Sequence, residues 1–185
     1  MFNRHCDEKY KVKLKPVKTD NEQLMLLIKD KVDKIAQGQV WLGQDAHKNG
    51  FAENMYLDAA TRTNVEETGG ANFLFVTKDN KIVTPKSNSI LPSITRRSLI
   101  TVARDYLGLE VEERVVPFAE VPEFVECGLC GTAAVISPVG CVNDHGKEIK
   151  FVNGCEEVGP VIKKLRETLT GIQMGRIEAP EGWIK

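Results

Sequence analysis

The sequence predicts an α+β domain, in which strands and helices follow one another irregularly and not as repeated strand–helix–strand units. Three observations support this prediction. Residues 72–77 form a short apolar run that is typical of a buried strand. Apolar residues recur at helical spacing between Arg96 and Leu107, and Gly108 follows as a stop signal. A second helix is predicted to begin at Pro160, because proline is favoured in the first helical position.

Further strands are predicted from short apolar or alternating runs. They cover residues 55–57, 82–84, 111–116, 133–139 and 149–152. Asp79 and Asn80 form the turn before the second of these strands. The last helix presents one apolar stripe to the core. The stripe consists of Val161, Leu165, Leu169 and Ile172.

The chain divides, on this interpretation, into residues 1–40 and residues 41–185. The first segment combines a lysine-rich alternating strand at residues 9–16 with an amphipathic helix. Thr19 and Glu22 have the spacing of a capping box at the start of that helix. The larger segment is one domain, because a chain of 185 residues suits one hydrophobic core and is short for two.

Composition and charge argue against several classes of protein. The formal net charge is -1, which argues against binding of nucleic acid through bulk positive charge. No run is long and apolar enough to cross a bilayer, and the first residues do not resemble a signal peptide. The five cysteines, an odd number, indicate reduced thiols. We therefore expect a cytoplasmic protein with no nucleic-acid partner and no membrane partner.

A zinc site is an alternative use of the cysteines. Cys127 and Cys130 have the spacing of a zinc-binding pair, and Cys141 and His145 follow them. The residues between Cys130 and Cys141 are predicted to be extended, which would separate these two thiols by about 30 Å. Unless this segment folds back, the four side chains do not meet. We therefore expect no metal ion, and thiols that are buried or lie in turns.

Two adjacent carboxylates and two adjacent glycines precede the predicted strand at residues 72–77. Glu66 and Glu67 are followed by Gly69 and Gly70, where the backbone can approach another group closely. A carboxylate beside such a turn can pair with a ring nitrogen of a cofactor. The alternative is a hairpin turn with a solvated acid.

The start of the predicted helix near Arg96 suits a phosphate group. Pro92 forms a turn, and either Ser93 or Thr95 can cap the helix. The unpaired amides of the first turn and a nearby hydroxyl can bind an anion, and Arg96 and Arg97 add positive charge. The alternative is an ordinary capped helix that binds nothing.

A third segment combines small residues with a threonine. Residues 130–134 read Cys-Gly-Thr-Ala-Ala, and the backbone amides around Thr132 can donate to an anion. The alternative is a tight turn between two strands.

In this order, the three segments resemble the signature blocks of branched-chain amino-acid aminotransferases. The blocks are Glu-Thr-Gly-Gly-Ala-Asn-Phe at residues 67–73, Leu-Pro-Ser-Ile-Thr-Arg at 91–96, and a block at 130–139 that begins Cys-Gly-Thr-Ala-Ala. The ending, at residues 169–173 and at Gly182 and Trp183, is similar as well. The resemblance covers residues 45–183, and three ordered blocks are far more specific than one short motif.

The resemblance implies a fold-type IV aminotransferase domain that binds pyridoxal phosphate. By that resemblance, Glu67 holds the pyridine nitrogen in its protonated form, so that the ring can act as an electron sink. Ile94 and Thr95 bind the phosphate at the start of the helix, and Thr132 provides a second phosphate contact. The amides of Thr132 and Ala133 face the carboxylate of the substrate.

Two features of the family lack a close counterpart. The family's Schiff-base lysine is followed by Gly-Gly-Asn-Tyr, whereas counting back from Glu67 without gaps reaches Lys31, followed by Val-Asp-Lys-Ile. Lys31 falls within the predicted N-terminal helix, where the alternative is a lysine that snorkels to solvent. Residues 1–40 show no counterpart of the family's N-terminal domain, which supplies an arginine to the phosphate. We therefore expect the family's large domain without its N-terminal domain.

Two functions are consistent with these observations. The first is transamination of leucine, isoleucine or valine with 2-oxoglutarate, so that the partners are amino-acid and 2-oxo-acid substrates. The second is a catalytically inactive, truncated or decayed relative that keeps the fold and a phosphate site. The resemblance also implies a homo-oligomer, because the family is dimeric and apolar surface left by a missing domain drives association.

We predict that the chain binds pyridoxal phosphate weakly and forms no stable Schiff base with it, because the Gly-Gly-Asn-Tyr context is missing. Absorption spectroscopy before and after borohydride reduction measures this. An absorption band that disappears on reduction, together with a label recovered on Lys31 by peptide mass spectrometry, would contradict the prediction.

Overall fold

The computed structural model of the protein describes residues 53–144, 147–151 and 158–183. The predicted strand at 9–16, the helix that starts at Thr19, and Lys31 lie outside these residues. Glu53–Lys185 forms a compact unit by itself, and every element described below belongs to it.

The described part of the chain contains short strands and two α-helices. In chain order, the elements are β1 (Asn64–Val65), β2 (Asn72–Val76), β3 (Ile82–Pro85), α1 (Ile94–Thr101), β4 (Val111–Arg114), β5 (Val116–Pro117), β6 (Glu126–Gly131), β7 (Val135–Val139), β8 (Cys141–Asp144), β9 (Lys147–Lys150) and α2 (Pro160–Gln173). A π-helical turn, Val102–Tyr106, continues α1, and a 3₁₀ helix, Phe118–Glu123, lies between β5 and β6. Among these residues, no helix is long and apolar enough to cross a membrane.

A five-stranded sheet in the order β4-β3-β2-β6-β7 forms the centre of the unit. β2 lies between β3 and β6 and is antiparallel to both, whereas β3 and β4 are parallel and are connected through α1. β6 and β7 form an antiparallel hairpin. Two small sheets, β1-β5 and β8-β9, accompany the central one.

Both faces of the central sheet are buried. Leu74 and Val76 of β2 belong to one buried cluster, which α1 and α2 cover with their apolar sides. Phe73 and Phe75 point the other way, as alternation along a strand requires, and pack with residues of β1, β5 and β9. All five residues of β2 are buried, which explains the four consecutive apolar residues at positions 73–76.

Two of the predicted helices fall within the described residues, and both are confirmed. α1 begins at Ile94, two residues before the predicted start, and its path continues through the π-helical turn to Tyr106. α2 begins at Pro160 as predicted. It buries the predicted stripe except Val161, which is half-buried, and Ile162 is buried in its place.

Three of the predicted strands agree closely with the structure, except that one of them is divided into two strands. β2 and β3 confirm the strands predicted at residues 72–77 and 82–84. The run at residues 111–116 is two strands, because Val115 is 56% exposed and separates β4 from β5. These two strands belong to different sheets. The apolar run alone does not predict that β4 pairs with β3 whereas β5 pairs with β1.

The predicted strand at residues 55–57 is wrong. Leu57 forms only an isolated bridge with Val65. Asp58 then folds the chain back, because its carboxylate accepts hydrogen bonds from three backbone amides that follow. The hydroxyl of Thr61 and these amides hold the pKa of the Asp58 carboxyl well below its usual range. The turn brings residues 56–58 back against residues 64–67, where three backbone hydrogen bonds join the two segments without forming a regular strand at residues 55–57.

The remaining two strands are shifted from their predicted positions. The run at residues 133–139 corresponds to β7, which starts only at Val135 because the first two residues belong to a turn. The run at residues 149–152 corresponds to β9, which begins two residues earlier and forms a hairpin with β8. That hairpin was not predicted.

The first turn of α2 is joined to the sheet by a side chain. Its N-cap residue, Gly159, has no side chain to cap the helix. The buried carboxylate of Glu126, at the start of β6, accepts hydrogen bonds from the amides of Val161 (3.1 Å) and Ile162 (2.9 Å). A Cβ atom on Gly159 would lie 2.2 Å from an oxygen of that carboxylate. The cap therefore requires a glycine at position 159.

We predict that Gly159→Ala and Glu126→Ala are energetically coupled. Each change alone lowers the free energy of unfolding by about 1–3 kcal/mol, the first through steric overlap and the second through unpaired helix amides. In the double variant the overlap is gone, so Gly159→Ala no longer destabilises. Urea denaturation of the four proteins measures the coupling. Additive losses would show that the carboxylate does not occupy this space.

Candidate functional site

Two of the three motif segments meet at one end of the central sheet. The glycine turn leads into β2 at Asn72, which pairs with Cys130 of β6. A Cβ atom on Gly131, the last residue of β6, would lie only 3.2 Å from the carbonyl oxygen of Gly70. Glycine at position 131 therefore permits the close approach, and the first and third segments lie side by side.

The carboxylate of Glu67 joins the first segment to the second. Its Oε2 atom accepts hydrogen bonds from the backbone amide of Leu91 (3.2 Å) and from the side-chain amide of Asn72 (3.1 Å). The same Asn72 nitrogen donates to the carbonyl oxygen of Leu91 (3.3 Å). Oε1 accepts no hydrogen bond from the part of the chain that the structure describes. Within the described residues, Glu67 thus uses only one of its two oxygens as an acceptor.

The residues beside Glu67 have other partners. Glu66 accepts a hydrogen bond from the hydroxyl of Ser87 (2.7 Å), so the two adjacent carboxylates point to different neighbours. The hydroxyl of Thr68 accepts hydrogen bonds from two amides of the glycine turn and donates to the carbonyl oxygen of Ala71. This threonine holds the turn that leads Glu67 towards Leu91.

The first two amides of α1 make no hydrogen bond within the part of the chain that the structure describes. The hydroxyl of Ser93 caps the helix by accepting a hydrogen bond from the amide of Arg96 (3.2 Å). The amide of Arg97 makes the first backbone hydrogen bond of the helix, to the carbonyl oxygen of Ser93 (3.0 Å). The amides of Ile94 and Thr95 precede it. Of the two predicted caps, Ser93 is confirmed, and the Thr95 hydroxyl makes no hydrogen bond to a described residue.

The same segment exposes large apolar side chains. Leu91 is 68% exposed and Ile94 is 67% exposed. Apolar groups left open beside polar donors are typical of a binding surface.

The prediction that Arg96 adds positive charge to this site is wrong. Its guanidinium is buried and donates to the Thr84 hydroxyl, the Pro85 carbonyl oxygen and the Glu113 carboxylate. The Glu113 carboxylate balances its charge within the fold. Arg97 is exposed.

The third segment is an exposed turn between β6 and β7. Thr132, Ala133 and Ala134 are exposed and connect the two strands. Val135 has a φ of 60°, in the left-handed region, where a β-branched residue is strained. The segment is therefore the tight turn of the alternative interpretation, and its exposed groups are accessible to a ligand.

Cys127 and Cys130 lie on opposite faces of the central sheet. Cys127 packs with Phe73 and Phe75, and Cys130 packs in the cluster under the two helices. The two thiols cannot share a metal ion, and no group of three acidic, cysteine or histidine side chains in the described part of the chain could hold one. His145 lies outside the described residues. The prediction of buried thiols is confirmed for this pair.

A groove of about 660 Å³ lies elsewhere, between α2 and β7. Its walls include Ile136, Ile162, Arg166 and Arg176. None of the candidate site residues lines this groove.

The family model described as amino-transferase class IV matches residues 36–141, which is more than half of the chain. The chain belongs to this family. The branched-chain-amino-acid aminotransferase of Haemophilus influenzae is 55% identical over 134 residues, which make up 72% of this chain and 39% of that protein. The Helicobacter pylori enzyme of the same name is 43% identical over 139 residues, with coverages of 75% and 40%. The chain thus spans about 40% of the length of these relatives.

Solved structures agree with the predicted fold. The branched-chain amino acid aminotransferase of Escherichia coli superposes with a TM-score of 0.64 at 32% identity, over 76% of this chain and 45% of that one. The Thermobaculum terrenum enzyme in its PLP form gives 0.63 at 37% identity, over 73% and 41%. The described unit therefore has the α+β, fold-type IV arrangement of an aminotransferase domain.

Several polar residues around the site were not assigned a role from the sequence. The role of Asn72 could have been inferred from the sequence, because a side-chain amide in a fully buried apolar strand needs hydrogen-bond partners. The roles of Thr84 and Glu113 could not, because their partner Arg96 is 12 and 17 residues away in the chain. The roles of Glu67, Ile94, Thr95, Thr132 and Ala133 stay predictions, and Lys31 lies outside the described residues.

We predict that iodoacetamide labels Cys127 and Cys130 much more slowly than the half-buried Cys141 in the native protein, and at similar rates in denaturant. Burial raises the pKa of Cys130 to about 12 and the pKa of Cys127 well above its usual value. The native thiols therefore form little thiolate near the ordinary thiol pKa of about 8.5. Site-resolved mass spectrometry measures the rates, and equal native rates would contradict the burial.

The raised pKa values also give stability a pH dependence. Unfolded thiols ionise near pH ~8.5 whereas the folded ones stay neutral, so this contribution is fully present below that pH and is lost as the pH rises. Replacement of both cysteines by alanine should remove this part of the alkaline loss.

Proposed function

We propose that the chain carries the cofactor-binding part of a branched-chain amino-acid aminotransferase, and that pyridoxal phosphate binds between Glu67 and the start of α1. The observation that carries the proposal is the Glu67 carboxylate. One oxygen is fixed by Leu91 and Asn72, and the other accepts nothing from the described residues. A protonated pyridine nitrogen is a suitable donor for that oxygen. The names of the two bacterial relatives supply the substrate class.

The start of α1 fits the phosphate of this cofactor. The amides of Ile94 and Thr95 precede the first backbone hydrogen bond of the helix, and the first turn contains no acidic residue. The positive end of the helix dipole favours an anion at this position. Only three residues separate Leu91, which contacts Glu67, from Thr95. One short segment can therefore serve both the ring and the phosphate of one ligand.

The proposed contacts are those that the family resemblance assigns to these residues. When bound, pyridoxal phosphate supplies an electron sink for bonds at the Cα atom of an amino acid. Glu67 keeps a proton on the pyridine nitrogen, while Ile94 and Thr95 bind the phosphate. The Thr132 hydroxyl provides a second phosphate contact, and the amides of Thr132 and Ala133 bind the substrate carboxylate. The exposure of their turn supports this assignment.

The proposed reaction transfers the amino group of leucine, isoleucine or valine to 2-oxoglutarate. It requires a lysine that removes and returns a proton at the Cα atom, and we assign this role to Lys31 by its position before Glu67. A cytoplasmic homodimer is part of the proposal.

An inactive relative that keeps the fold and the phosphate site is the second candidate. The absence of Gly-Gly-Asn-Tyr after Lys31 favours it. Transfer from leucine to 2-oxoglutarate that Lys31→Ala abolishes would support the enzyme. Cofactor binding without any transfer would support the inactive relative.

We predict that Thr95→Ala weakens the binding of phosphate and of pyridoxal phosphate about tenfold or more, because a charge-assisted hydrogen bond is worth roughly 1.5–3 kcal/mol. Ser93→Ala instead lowers the free energy of unfolding by about 1 kcal/mol, because Ser93 is the helix cap. Calorimetric titration and urea denaturation of both variants separate the two roles.

Thr101→Ala, at the other end of α1, is the matched control and should leave both affinities unchanged. If Thr95→Ala kept the wild-type affinities and only lowered the denaturation midpoint, Thr95 would be a structural residue. The phosphate assignment would then be withdrawn.

A further inference from the structure

The guanidinium of Arg96 is buried, and its hydrogen bonds join α1 directly to two strands of the central sheet and indirectly to a third. Its Nε atom donates to the Thr84 hydroxyl (2.9 Å), and its Nη2 atom donates to the Pro85 carbonyl oxygen (3.1 Å) and the Glu113 carboxylate (3.0 Å). The Thr84 hydroxyl in turn donates to the carbonyl oxygen of Phe73 (2.8 Å). α1 is thereby connected directly to β3 and β4, and through Thr84 to β2.

These contacts fix both ends of the proposed phosphate-binding segment, residues 91–96, to the same sheet. At one end, Leu91 exchanges hydrogen bonds with Glu67 and Asn72. At the other end, Arg96 is held by β3 and β4 and, through one hydroxyl, by Phe73. Asn72 and Phe73 are neighbours in β2. The segment cannot shift relative to Glu67 without loss of hydrogen bonds at one of its ends, and those that Arg96 makes to Thr84 and Pro85 are buried and therefore costly to break.

A fixed spacing matters for a ligand that is held at two points. A pyridine ring with a phosphate on a short arm is stiff, so both ends bind well only when their two sites stand at the right separation. A protein that sets this separation in advance avoids the free-energy cost of ordering the segment on binding.

We propose that Arg96 is a positioning residue that sets the distance between Glu67 and the phosphate-binding turn of α1, and that it does not itself attract the phosphate. The inference rests on the proposed function, because it assumes one ligand that contacts both places. Its physical basis is the burial of the guanidinium and its pairing with Glu113, which leave little positive charge for an anion outside.

Arg97 provides a matched control. It follows Arg96 in the same helical turn, and it is exposed. Arg96→Met and Arg97→Met therefore remove the same charge from the same turn, but only the first change removes the anchor to the sheet. Thr84→Val is a milder second probe, since it keeps the shape of the side chain and removes the hydroxyl that accepts from Arg96.

Two ligands serve as probes. Inorganic phosphate contacts only the first turn of α1. Pyridoxamine 5′-phosphate contacts both that turn and Glu67, and it needs no covalent bond to a lysine. We expect Arg96→Met to lower the affinity for pyridoxamine 5′-phosphate at least tenfold, about 1.4 kcal/mol. The affinity for inorganic phosphate should stay within about twofold, because the amides of the turn are still present. Arg97→Met should change neither affinity more than about twofold, and Thr84→Val should repeat the Arg96→Met pattern with a smaller loss.

Two results of the titrations would overturn the proposal. Equal losses of phosphate affinity in Arg96→Met and Arg97→Met would show that both residues act through charge. Wild-type affinity of Arg96→Met for pyridoxamine 5′-phosphate would show that no positioning is needed. If Arg96→Met does not fold, Thr84→Val decides by the same criteria.

Amide hydrogen exchange without ligand separates this inference from the proposed function. Faster exchange at residues 91–96 in Arg96→Met, and not in Arg97→Met, would support the conclusion that Arg96 holds this segment to the sheet, even if the wild-type chain bound neither probe. In that case the proposed function would fail, and the structural role of Arg96 would stand. Unchanged exchange in Arg96→Met would refute the anchoring, whatever the chain binds.

Discussion

The pairing of β2 with strands on both of its edges is the constraint on which the rest of this structure depends. β2 pairs with β3 on one side and β6 on the other, and all of its residues are buried. Its alternate side chains contribute to both hydrophobic clusters. Its first residue, Asn72, holds both Glu67 and Leu91. Movement of this one strand would therefore disturb both clusters and the candidate site together.

Local patterns in the sequence predicted the elements whose environment is uniform along their length. β2, α1 and α2 each bury apolar residues at regular positions, and the spacing of apolar residues in the sequence therefore predicts these elements. The division of the run at residues 111–116 into β4 and β5 was not predicted, because the two strands pair with different partners. For the site, the motifs singled out Glu67 and Thr95, whose roles stay predictions, and they left open whether Ser93 or Thr95 caps the helix. They could not show that Arg96 faces the sheet, because that depends on partners far away in the chain, such as Thr84.

Within the described residues, the phosphate contacts proposed above are made by neutral donors and not by cations. Arg96 is paired with Glu113 inside the fold, and Arg97 is exposed. The proposed donors are the amides at the start of α1, two threonine hydroxyls and the exposed turn at residues 132–134. Such donors are directional, so their value depends on how accurately the fold places them.

The cap of α2 has a consequence for the order in which the chain folds. The carboxylate of Glu126 lies 35 and 36 residues before the two amides that it binds, so the first turn of α2 is completed only when β6 is in place. Isolated short helices are marginal in water, and this one lacks a local side-chain cap. Docking of α2 and completion of its first turn are therefore one cooperative event. During synthesis, the cluster beneath α2 can therefore complete its packing only after all the strands of the central sheet have emerged and this helix has followed them.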